Sequence, residues 1–308
     1  MAEEDYPRTL LELERRFVDE EPCRNYLFAL RWPQGFVCPA CAAGAAGGLA
    51  VRRDLWRCRR CGRETSVRAG TVFQDSKLPL MIWFRAMWQV TSQKHGVSAL
   101  GLQRVLGLGN YKTAWALLHK LRRAMVRPGR DRLNGVVEVD ETYWGAEESG
   151  VRGRQSLRKA LIAVAAQADG KGIGRIRLSH IPDTSRATLH GFIAQTIEPG
   201  SSVVTDGLQA YREMEGYVHD RQIQKRQPAE AEHLLPRVHR VISLFKRWLL
   251  GTHQGAVAHE YLQDYLNEFT FRFNRRKSAS RGKLFYRLAQ QAVQVSPVPI
   301  DSLPHPNG

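Results

Sequence analysis

The spacing of apolar residues predicts a helical stretch over residues 77–127. Apolar and aromatic side chains recur there every three or four residues, as the buried face of a helix requires. Near its end, Ser98 can cap one helix, and Gly107 and Gly109 break the pattern. A second helix is then expected from Tyr111. Helix, short turn and helix is the layout of a helix-turn-helix motif, and equally that of an ordinary α-hairpin.

From residue 135 the pattern changes to short apolar runs rich in β-branched residues. Such runs, bounded by turn residues, predict buried strands. The expected strands cover residues 136–140, 160–167, 174–181 and 202–206, and helices are expected near 185–197, from about 207 and from 236 onward. Three consecutive strands, a helix, a strand and further helices form the order of elements in an RNase H-like α/β domain.

Two of the predicted strands end in an aspartate, Asp140 in VVEVDETYWG and Asp206 in SSVVTDGLQAY. Each strand would deliver one carboxylate to the edge of a sheet. Oxygen ligands suit Mg²⁺ or Mn²⁺, and two such ions about 4 Å apart can hold the attacking and leaving oxygens of a displacement at phosphorus. Either aspartate alone can also simply cap the turn after its strand, so both interpretations stay open at this point.

The charge of the chain favours a polyanionic partner. It has 46 Lys+Arg against 30 Asp+Glu, a formal net charge of +16, although the first 21 residues are acidic. A field of this size attracts DNA and makes binding dependent on salt, while many other proteins also have solvated basic faces. No apolar run approaches 18 residues and the acidic N-terminus is unlike a signal peptide, which predicts a cytoplasmic protein without membrane contact.

Four of the five cysteines form two C-x2-C knuckles, Cys38–Cys41 and Cys58–Cys61, with sixteen residues between them. Each knuckle turns two thiolates toward one point, and four thiolates make a closed, structural zinc site. A disulfide framework is typical of small secreted chains, whereas this chain is large and poor in cysteine. We therefore predict a zinc ribbon, with Cys23 as a small buried apolar residue.

Basic side chains in both N-terminal features favour DNA binding. The ribbon and the residues after it carry Arg52, Arg53, Arg57, Arg59, Arg60, Arg63 and Arg68. The second predicted helix carries Lys112, Lys120, Arg122 and Arg123, as a helix that reads the major groove requires. A ribbon that contacts protein, or a hairpin with a basic solvent face, would have a similar sequence.

Five segments together carry a family resemblance. They are, in chain order, PCRNYLFALRWPQGFVCPAC, VEVDETYWG, VVTDGLQAY, HRVISLFKRWLLGTHQGAV and EYLQDYLNEFTFRFNRR. The chain resembles DDE-type insertion-sequence transposases with an N-terminal zinc ribbon, the fifteen-ninety-five or ISXO-type family, over nearly its whole length. The resemblance implies a catalytic domain like those of RNase H and retroviral integrase. It also implies that a homo-oligomer binds double-stranded DNA at the inverted-repeat ends of its element, then cleaves and transfers strands with a divalent metal.

The resemblance further implies the place of a third metal-facing residue. In this superfamily it stands some 33 to 35 residues after the second aspartate and seven before a lysine. Counting back seven from Lys246 gives His239, which is 33 residues after Asp206. Seven residues are nearly two helical turns, so His239 would face the metal ions and Lys246 the DNA from one side of a helix. Most of the superfamily has glutamate at this place, and a neutral imidazole is a softer ligand that favours Mn²⁺.

Other acids compete for this third position. They lie upstream and downstream of His239 and are Glu230, Glu232, Asp264 and Glu268. Two acids also flank Asp140. Alternation along a strand sends Glu138 to the sheet face of Asp140 and Glu141 to the opposite face. Glu138 is therefore the better candidate of the two for a supporting acid.

The patterns divide the chain into an N-terminal helical segment (1–30), a zinc ribbon (31–74), a helix-turn-helix-like segment (75–130), an RNase H-like catalytic domain with C-terminal helices (131–285) and a tail (286–308). A bacterial transposase of this kind is expected at the nucleoid. The alternative is a DNA-binding regulator, or a domesticated relic, that binds DNA without cutting it. Asp140, Asp206 and Lys246 favour the enzyme, while histidine at position 239 favours the relic.

Overall fold

The structure is a computed structural model that describes residues 4–44, 48–52, 54–145, 159–222 and 234–297. The chain divides into two compact units. The ribbon unit consists of Met1–Gly129 with Lys277–Gly308, and the α/β unit consists of Arg130–Arg276.

The secondary structure alternates between helical and extended segments. In chain order, the helices are α1 (Leu10–Arg16), α2 (Glu20–Arg31), α3 (Leu80–Ser92), α4 (Ala99–Leu106), α5 (Tyr111–Ala124), α6 (Arg186–Thr196), α7 (Pro236–His253), α8 (Leu262–Asn274) and α9 (Arg281–Ala292). The strands are β1 (Gly48–Arg52), β2 (Leu55–Cys58), β3 (Glu64–Ser66), β4 (Val136–Trp144), β5 (Ala160–Asp169), β6 (Gly172–Ile181), β7 (Ser202–Thr205) and β8 (Val218–Arg221). Short 3₁₀ turns cover Gln209–Tyr211 and His259–Tyr261.

In the ribbon unit, the predicted pair of helices is present as α4 and α5. The Ser98 hydroxyl accepts a hydrogen bond from the Gly101 N–H at 3.1 Å and caps α4. Gly107 ends α4 with a positive φ of 63°, a conformation that suits a residue without Cβ. The Asn110 side chain then accepts from the Lys112 N–H at 2.7 Å and starts α5.

The core of the ribbon unit includes the distant helix α9. Its Phe285 side chain is fully buried, with ring centroids 5.5 Å from Phe84, 6.1 Å from Trp88 and 6.2 Å from Phe17. Residues 286–292, which the sequence pattern left to the C-terminal tail, form the second half of this helix. Burial of such a ring is worth several kcal/mol, roughly 3–5 by the cost of Phe→Ala changes in cores.

A five-stranded mixed sheet organises the α/β unit, in the order β6-β5-β4-β7-β8. Strands β4, β5 and β6 are antiparallel neighbours, and β7 and β8 run parallel to β4. Three antiparallel strands followed by two parallel strands on the far side of the first strand make an RNase H-like sheet. The predicted fold class is thereby confirmed.

Helices cover both faces of this sheet. Val137 and Val139 pack with Leu189 and Ile193 of α6 on one face. On the other face, the ring of Trp144 lies 6.4 Å from that of Phe245 on α7. Because side chains alternate along β4, its odd-numbered residues face α6 and its even-numbered residues face α7.

The structure differs from the expected elements after β7. The helix expected from about residue 207 is only the 3₁₀ turn Gln209–Tyr211, and strand β8 was not predicted. The Asp206 side chain accepts from the Leu208 N–H at 2.9 Å, and Glu213 has a positive φ of 56°, so both favour turns over a helix. Strand β8 reads VHDR, and a short edge strand without an apolar run has no period-2 signal.

Candidate functional site

The four knuckle cysteines form one cluster in the ribbon unit. The Sγ atoms of Cys38 and Cys61 lie 3.6 Å apart, as do those of Cys41 and Cys58, and all four lie within 4.8 Å of one another. Thiolates at 2.3 Å from a tetrahedral zinc ion would be about 3.8 Å apart, so this set fits structural zinc and leaves no open position on it. Cys23 is fully buried outside the cluster, in keeping with its predicted role.

The two knuckles close in the same way. The Cys38 carbonyl accepts from the Ala42 N–H and the Cys58 carbonyl from the Gly62 N–H, both at 2.9 Å. Both of these donor residues have positive φ, 56° for Ala42 and 72° for Gly62. The backbone N–H of Cys61 also lowers the pKa of the Cys58 thiol, which favours the thiolate that zinc requires.

In the α/β unit, the two predicted aspartates lie on neighbouring parallel strands. Asp206 directly follows β7, as expected, whereas Asp140 lies in the middle of β4, which continues to Trp144 instead of ending at the aspartate. The register pairs Glu138 of β4 with Val204 of β7, and each aspartate stands two residues further along its own chain. Carboxylate oxygens of Asp140, Asp206 and also Glu141 all lie within 4.8 Å of one another. Oxygen ligands at 2.0–2.1 Å around an octahedral ion are about 3–4 Å apart, so three such carboxylates suit Mg²⁺ or Mn²⁺.

Asp140 connects this cluster to α7. Its Oδ1 atom accepts from the Glu141 N–H at 2.9 Å, and its Oδ2 atom lies 3.2 Å from Nε2 of His239. The hydrogen bond to Asp140 raises the pKa of His239 above its ordinary value. The structure therefore brings the predicted third residue to Asp140, on the side of that carboxylate away from its contact with the Glu141 backbone.

The predicted lysine lies on the same helix. Lys246 and His239 line one groove along α7, together with Ser243 and Arg247. Burial, and then the neighbouring charge of Lys159, lower the pKa of Lys246. A cation seven residues beyond His239 lies nearly two helical turns further along the same side of α7.

The expectation that Glu138 supports the acidic site is wrong. Its buried carboxylate accepts from the backbone N–H groups of Arg237 and Val238 at 2.7 and 2.9 Å, and from the Arg237 guanidinium at 2.8 Å. Alternation does place Glu138 on the face of Asp140, and there it caps the N-terminus of α7.

Glu141, which alternation sends to the opposite face, takes the position in the cluster instead. Its Oε2 atom accepts from the hydroxyl of Tyr211 at 2.9 Å. Tyr211 is fully buried, and burial followed by the negative charge of Glu141 raises the pKa of its hydroxyl well above the ordinary value. The sequence signal for both residues was present in the motifs VEVDETYWG and VVTDGLQAY, but spacing alone gave no reason to connect them.

The competing acids separate into two groups. Glu230 and Glu232 lie outside the described residues. Asp264 and Glu268 are buried on α8, where Glu268 lies 3.4 Å from Arg272, and neither belongs to the described acidic cluster.

The structure also changes the predicted DNA-binding surface. Lys120 and Arg122 of α5 are buried, 4% and 1% exposed, which contradicts their expected place on a groove-reading face. Lys112 is exposed at the start of α5, and Arg123 is partly exposed. In the ribbon, exposed arginines surround the second knuckle at positions Arg57, Arg59, Arg60 and Arg63, whereas the side chains of Arg52 and Arg53 lie outside the described residues. Arg68 is held inside the unit by the carbonyls of Ser76 and Leu78.

The chain combines an RNase H-like sheet that carries clustered carboxylates with a ribbon that carries four cysteines. This combination defines a class of zinc-ribbon proteins whose fold suits metal-dependent phosphoryl transfer. Two family models match parts of this chain. Residues 132–274 match the model described as ISXO2-like transposase domain, and residues 18–64 match the transposase zinc-ribbon domain. The resemblance carried by the sequence motifs is thereby confirmed, and the chain carries both domains of this IS1595 transposase family.

The chain is also similar to individual proteins. The chain is 27% identical over 281 positions to an uncharacterised protein in transposable element ISH50 of Halobacterium salinarum, a match that covers 84% of this chain and 92% of that protein. A cryoEM structure of a simian T-cell lymphotropic virus intasome in complex with PP2A regulatory subunit B56 gamma matches with a TM-score of 0.29 and 15% identity, covering 58% of this chain and 66% of that chain. So low a TM-score carries no argument.

Within the described ranges, no helix combines the length and hydrophobicity that a membrane crossing requires.

Proposed function

We propose that the protein is an active transposase. It would bind the inverted-repeat ends of its insertion sequence, cleave them, and join the freed 3′ ends to target DNA. The observation that carries this proposal is the meeting of Asp140, within β4, and Asp206, directly after the neighbouring parallel strand β7, within a domain of a transposase family. Such a pair can hold the divalent ion that strand cleavage without a covalent protein intermediate needs.

Each predicted site residue has a role in this proposal. Asp140 and Asp206 would hold Mg²⁺ or Mn²⁺, and a bound ion would supply the charge that activates the attacking oxygen and stabilises the departing one. His239 is the third metal-facing residue and contacts Asp140. Lys246 binds a phosphate of the DNA strand in the groove along α7 and orients that strand toward the carboxylates.

DNA recognition falls to the ribbon unit. The exposed arginines around the second zinc knuckle, Arg59, Arg60 and Arg63, suit contacts with the phosphate backbone. The zinc ion holds this surface rigid and takes no part in the chemistry, because four thiolates close its coordination. A homo-oligomer that holds two element ends would complete the assembly, and the place of action would be the nucleoid in the cytoplasm.

A second candidate function is a DNA-binding regulator or domesticated relic. The observation that favours it is His239 in place of the superfamily's usual glutamate. The contact of His239 with Asp140 supports the enzyme instead, because it brings the imidazole beside one of the two proposed metal ligands.

The decisive experiment is a cleavage assay on labelled duplexes that carry the DNA flanking the coding sequence. The parent is expected to cut one strand at the element end only when Mg²⁺ or Mn²⁺ is present. Asp140→Asn and Asp206→Asn should each lower cleavage by at least about 10³-fold, the scale of losing one electrostatic element of an active site. End binding in a mobility-shift assay should persist, because an amide keeps the shape of the side chain.

The matched control is Glu198→Gln, which removes one charge from an exposed position of the same unit and should leave cleavage unchanged. Binding without cleavage by the parent would favour the regulator. Near-normal cleavage by either aspartate variant would remove the two aspartates from the catalytic role.

A further inference from the structure

Glu141 and Tyr211 are two residues of the motifs that the proposed roles of Asp140, Asp206, His239 and Lys246 leave unused. They stand 70 residues apart in sequence, yet the Tyr211 hydroxyl donates to Oε2 of Glu141 at 2.9 Å. The motifs VEVDETYWG and VVTDGLQAY are thus joined in two ways: their aspartates lie close together, and Tyr211 of the second donates a hydrogen bond to Glu141 of the first.

The Glu141 carboxylate is held at a costly position. Its oxygens lie within 4.8 Å of carboxylate oxygens of Asp140 and Asp206, and all three residues are only partly exposed. Like charges at this spacing repel, and partial burial strengthens the repulsion. Glu141 nevertheless points into the cluster, and the Tyr211 hydroxyl is a contact that keeps it there.

The loop after β7 serves both acids. The Asp206 carboxylate accepts from the Leu208 N–H, which shapes the turn into Gln209–Tyr211, and that turn carries the fully buried Tyr211 to Glu141. A single local conformation therefore sets the position of one aspartate and of the hydrogen-bond donor for the glutamate. A buried tyrosine has little rotational freedom, so its hydroxyl is a rigid support.

With histidine at position 239, the third acidic ligand has to come from another part of the chain. Glu138 lies on the face of Asp140, but its carboxylate accepts hydrogen bonds at the N-terminus of α7. His239 contacts the Oδ2 atom of Asp140. Beside the two aspartates, Glu141 is the acid that completes a set of three carboxylates among the described residues.

We propose that Glu141 is a ligand of the catalytic divalent ion and that Tyr211 is its positioning residue. The third carboxylate is thus supplied by the residue next to Asp140 on β4 rather than by a residue of α7. This inference rests on the proposed function, because it concerns the same metal site, and it adds a ligand and a support to that site.

The test is a Mn²⁺ titration of the full-length, zinc-loaded protein without DNA, in which free Mn²⁺ is followed by its electron paramagnetic resonance signal. Glu141→Gln should weaken Mn²⁺ binding by at least about tenfold, and Tyr211→Phe by about tenfold, the lower end of the effect of groups that orient metal ligands. Glu198→Gln and Tyr217→Phe are the matched controls and should bind Mn²⁺ like the parent. The Tyr217 hydroxyl donates to the Ile197 carbonyl, away from the acids.

Two further measurements separate a ligand from a merely structural residue. Without divalent ions, Glu141→Gln should melt at the same temperature as the parent or higher, because one of three repelling charges is gone, while the stabilisation by added Mn²⁺ should shrink. In a double-mutant cycle, Tyr211→Phe should cost no further Mn²⁺ affinity once Glu141 is glutamine, because the tyrosine acts through the glutamate.

Parent-like Mn²⁺ binding by Glu141→Gln, alongside loss of binding by Asp206→Asn, would overturn the inference and leave the proposed transposase intact. Absence of Mn²⁺ binding by the parent would also overturn it. Additive losses in the cycle would remove the positioning role of Tyr211. If the parent binds Mn²⁺ through Glu141 but cuts no element end, the proposed function fails and the assignment of the ligand stands.

Discussion

At the scale of single residues, the contact between His239 and Asp140 joins helix α7 to the proposed metal site. An imidazole 3.2 Å from Oδ2 of Asp140 can share a metal ion with that carboxylate or orient it by a hydrogen bond. Its side chain is 44% exposed, so a bound strand or ion can reach it. In both roles the ring acts on Asp140 rather than on Asp206.

We expect His239→Ala to lower cleavage by about 10- to 100-fold, the effect of removing a group that orients a metal ligand, with DNA affinity little changed. His239→Glu should retain cleavage with Mg²⁺, because a carboxylate is the harder ligand. Cleavage rates and mobility shifts measured side by side check both, with the exposed His259→Ala as control. Parent-like cleavage by the alanine variant would show that His239 has no role in the site.

At the scale of secondary-structure elements, the acidic site depends on how α7 is attached to β4. Helix α7 lacks a side-chain cap from its own sequence. Glu138, 99 residues earlier, supplies that cap by accepting from two backbone N–H groups and the Arg237 guanidinium. Asp140 lies two residues after Glu138 on β4. The same strand therefore supplies both the cap of α7 and the partner of His239.

We predict that Glu138→Gln lowers the free energy of unfolding by about 1.5–3 kcal/mol, the range for hydrogen bonds to a charged group. Unfolding by denaturant, followed by a signal from the α/β unit, measures this change in free energy. Glu213→Gln is the matched control, since its ion pair with Arg186 is largely exposed and screened by solvent, so that its loss should leave the free energy of unfolding nearly unchanged. Equal losses for both variants would contradict the anchoring role of Glu138.

The zinc ribbon is a second element that depends on a few side chains, the four cysteines of its knuckles. We expect one zinc ion per chain in metal analysis of the purified protein, and its loss in Cys58→Ser, because three thiolates hold zinc far less tightly than four. Cys23→Ala should keep the zinc ion. Burial raises the pKa of the Cys23 thiol to about 12, so this cysteine stays protonated and outside the cluster. Zinc retained by Cys58→Ser would refute the assignment.

At the scale of the whole molecule, helix α9 shares a core with the N-terminal helices of the ribbon unit. Helix α9 follows the α/β unit in sequence but packs against α2, α3 and α5. The contact is apolar and aromatic, with Phe285 at its centre. The α/β unit is therefore inserted between two segments that share one core.

We predict that Phe285→Ala destabilises the ribbon unit by about 3–5 kcal/mol, the cost of a large cavity in a core, and that Phe285→Leu costs less because it fills part of the space. Hydrogen exchange should become faster in peptides of α2 and α3, with peptides of β5 as an internal reference. Unchanged exchange in α2 and α3 would show that α9 is dispensable for that core.

Much of this protein follows from local patterns in its sequence. The C-x2-C spacing determines where four thiols meet, because each knuckle closes through hydrogen bonds within a few residues. The apolar runs before Asp140 and Asp206 predict strands, and the positions of α4 and α5 follow from Ser98, Gly107 and the helical period. All of these signals act over distances that a single turn or strand covers.

The tertiary structure decided which side chains accompany those features. Alternation along β4 correctly separated Glu138 from Glu141, but the role of each depended on what packs against each face: the start of α7 for Glu138 and Tyr211 for Glu141. The burial of Lys120 and Arg122 and the return of α9 to the first helices likewise depend on contacts between distant segments. Sequence periodicity reports which face of an element is buried, whereas the partner on that face is chosen by the packing of the whole chain.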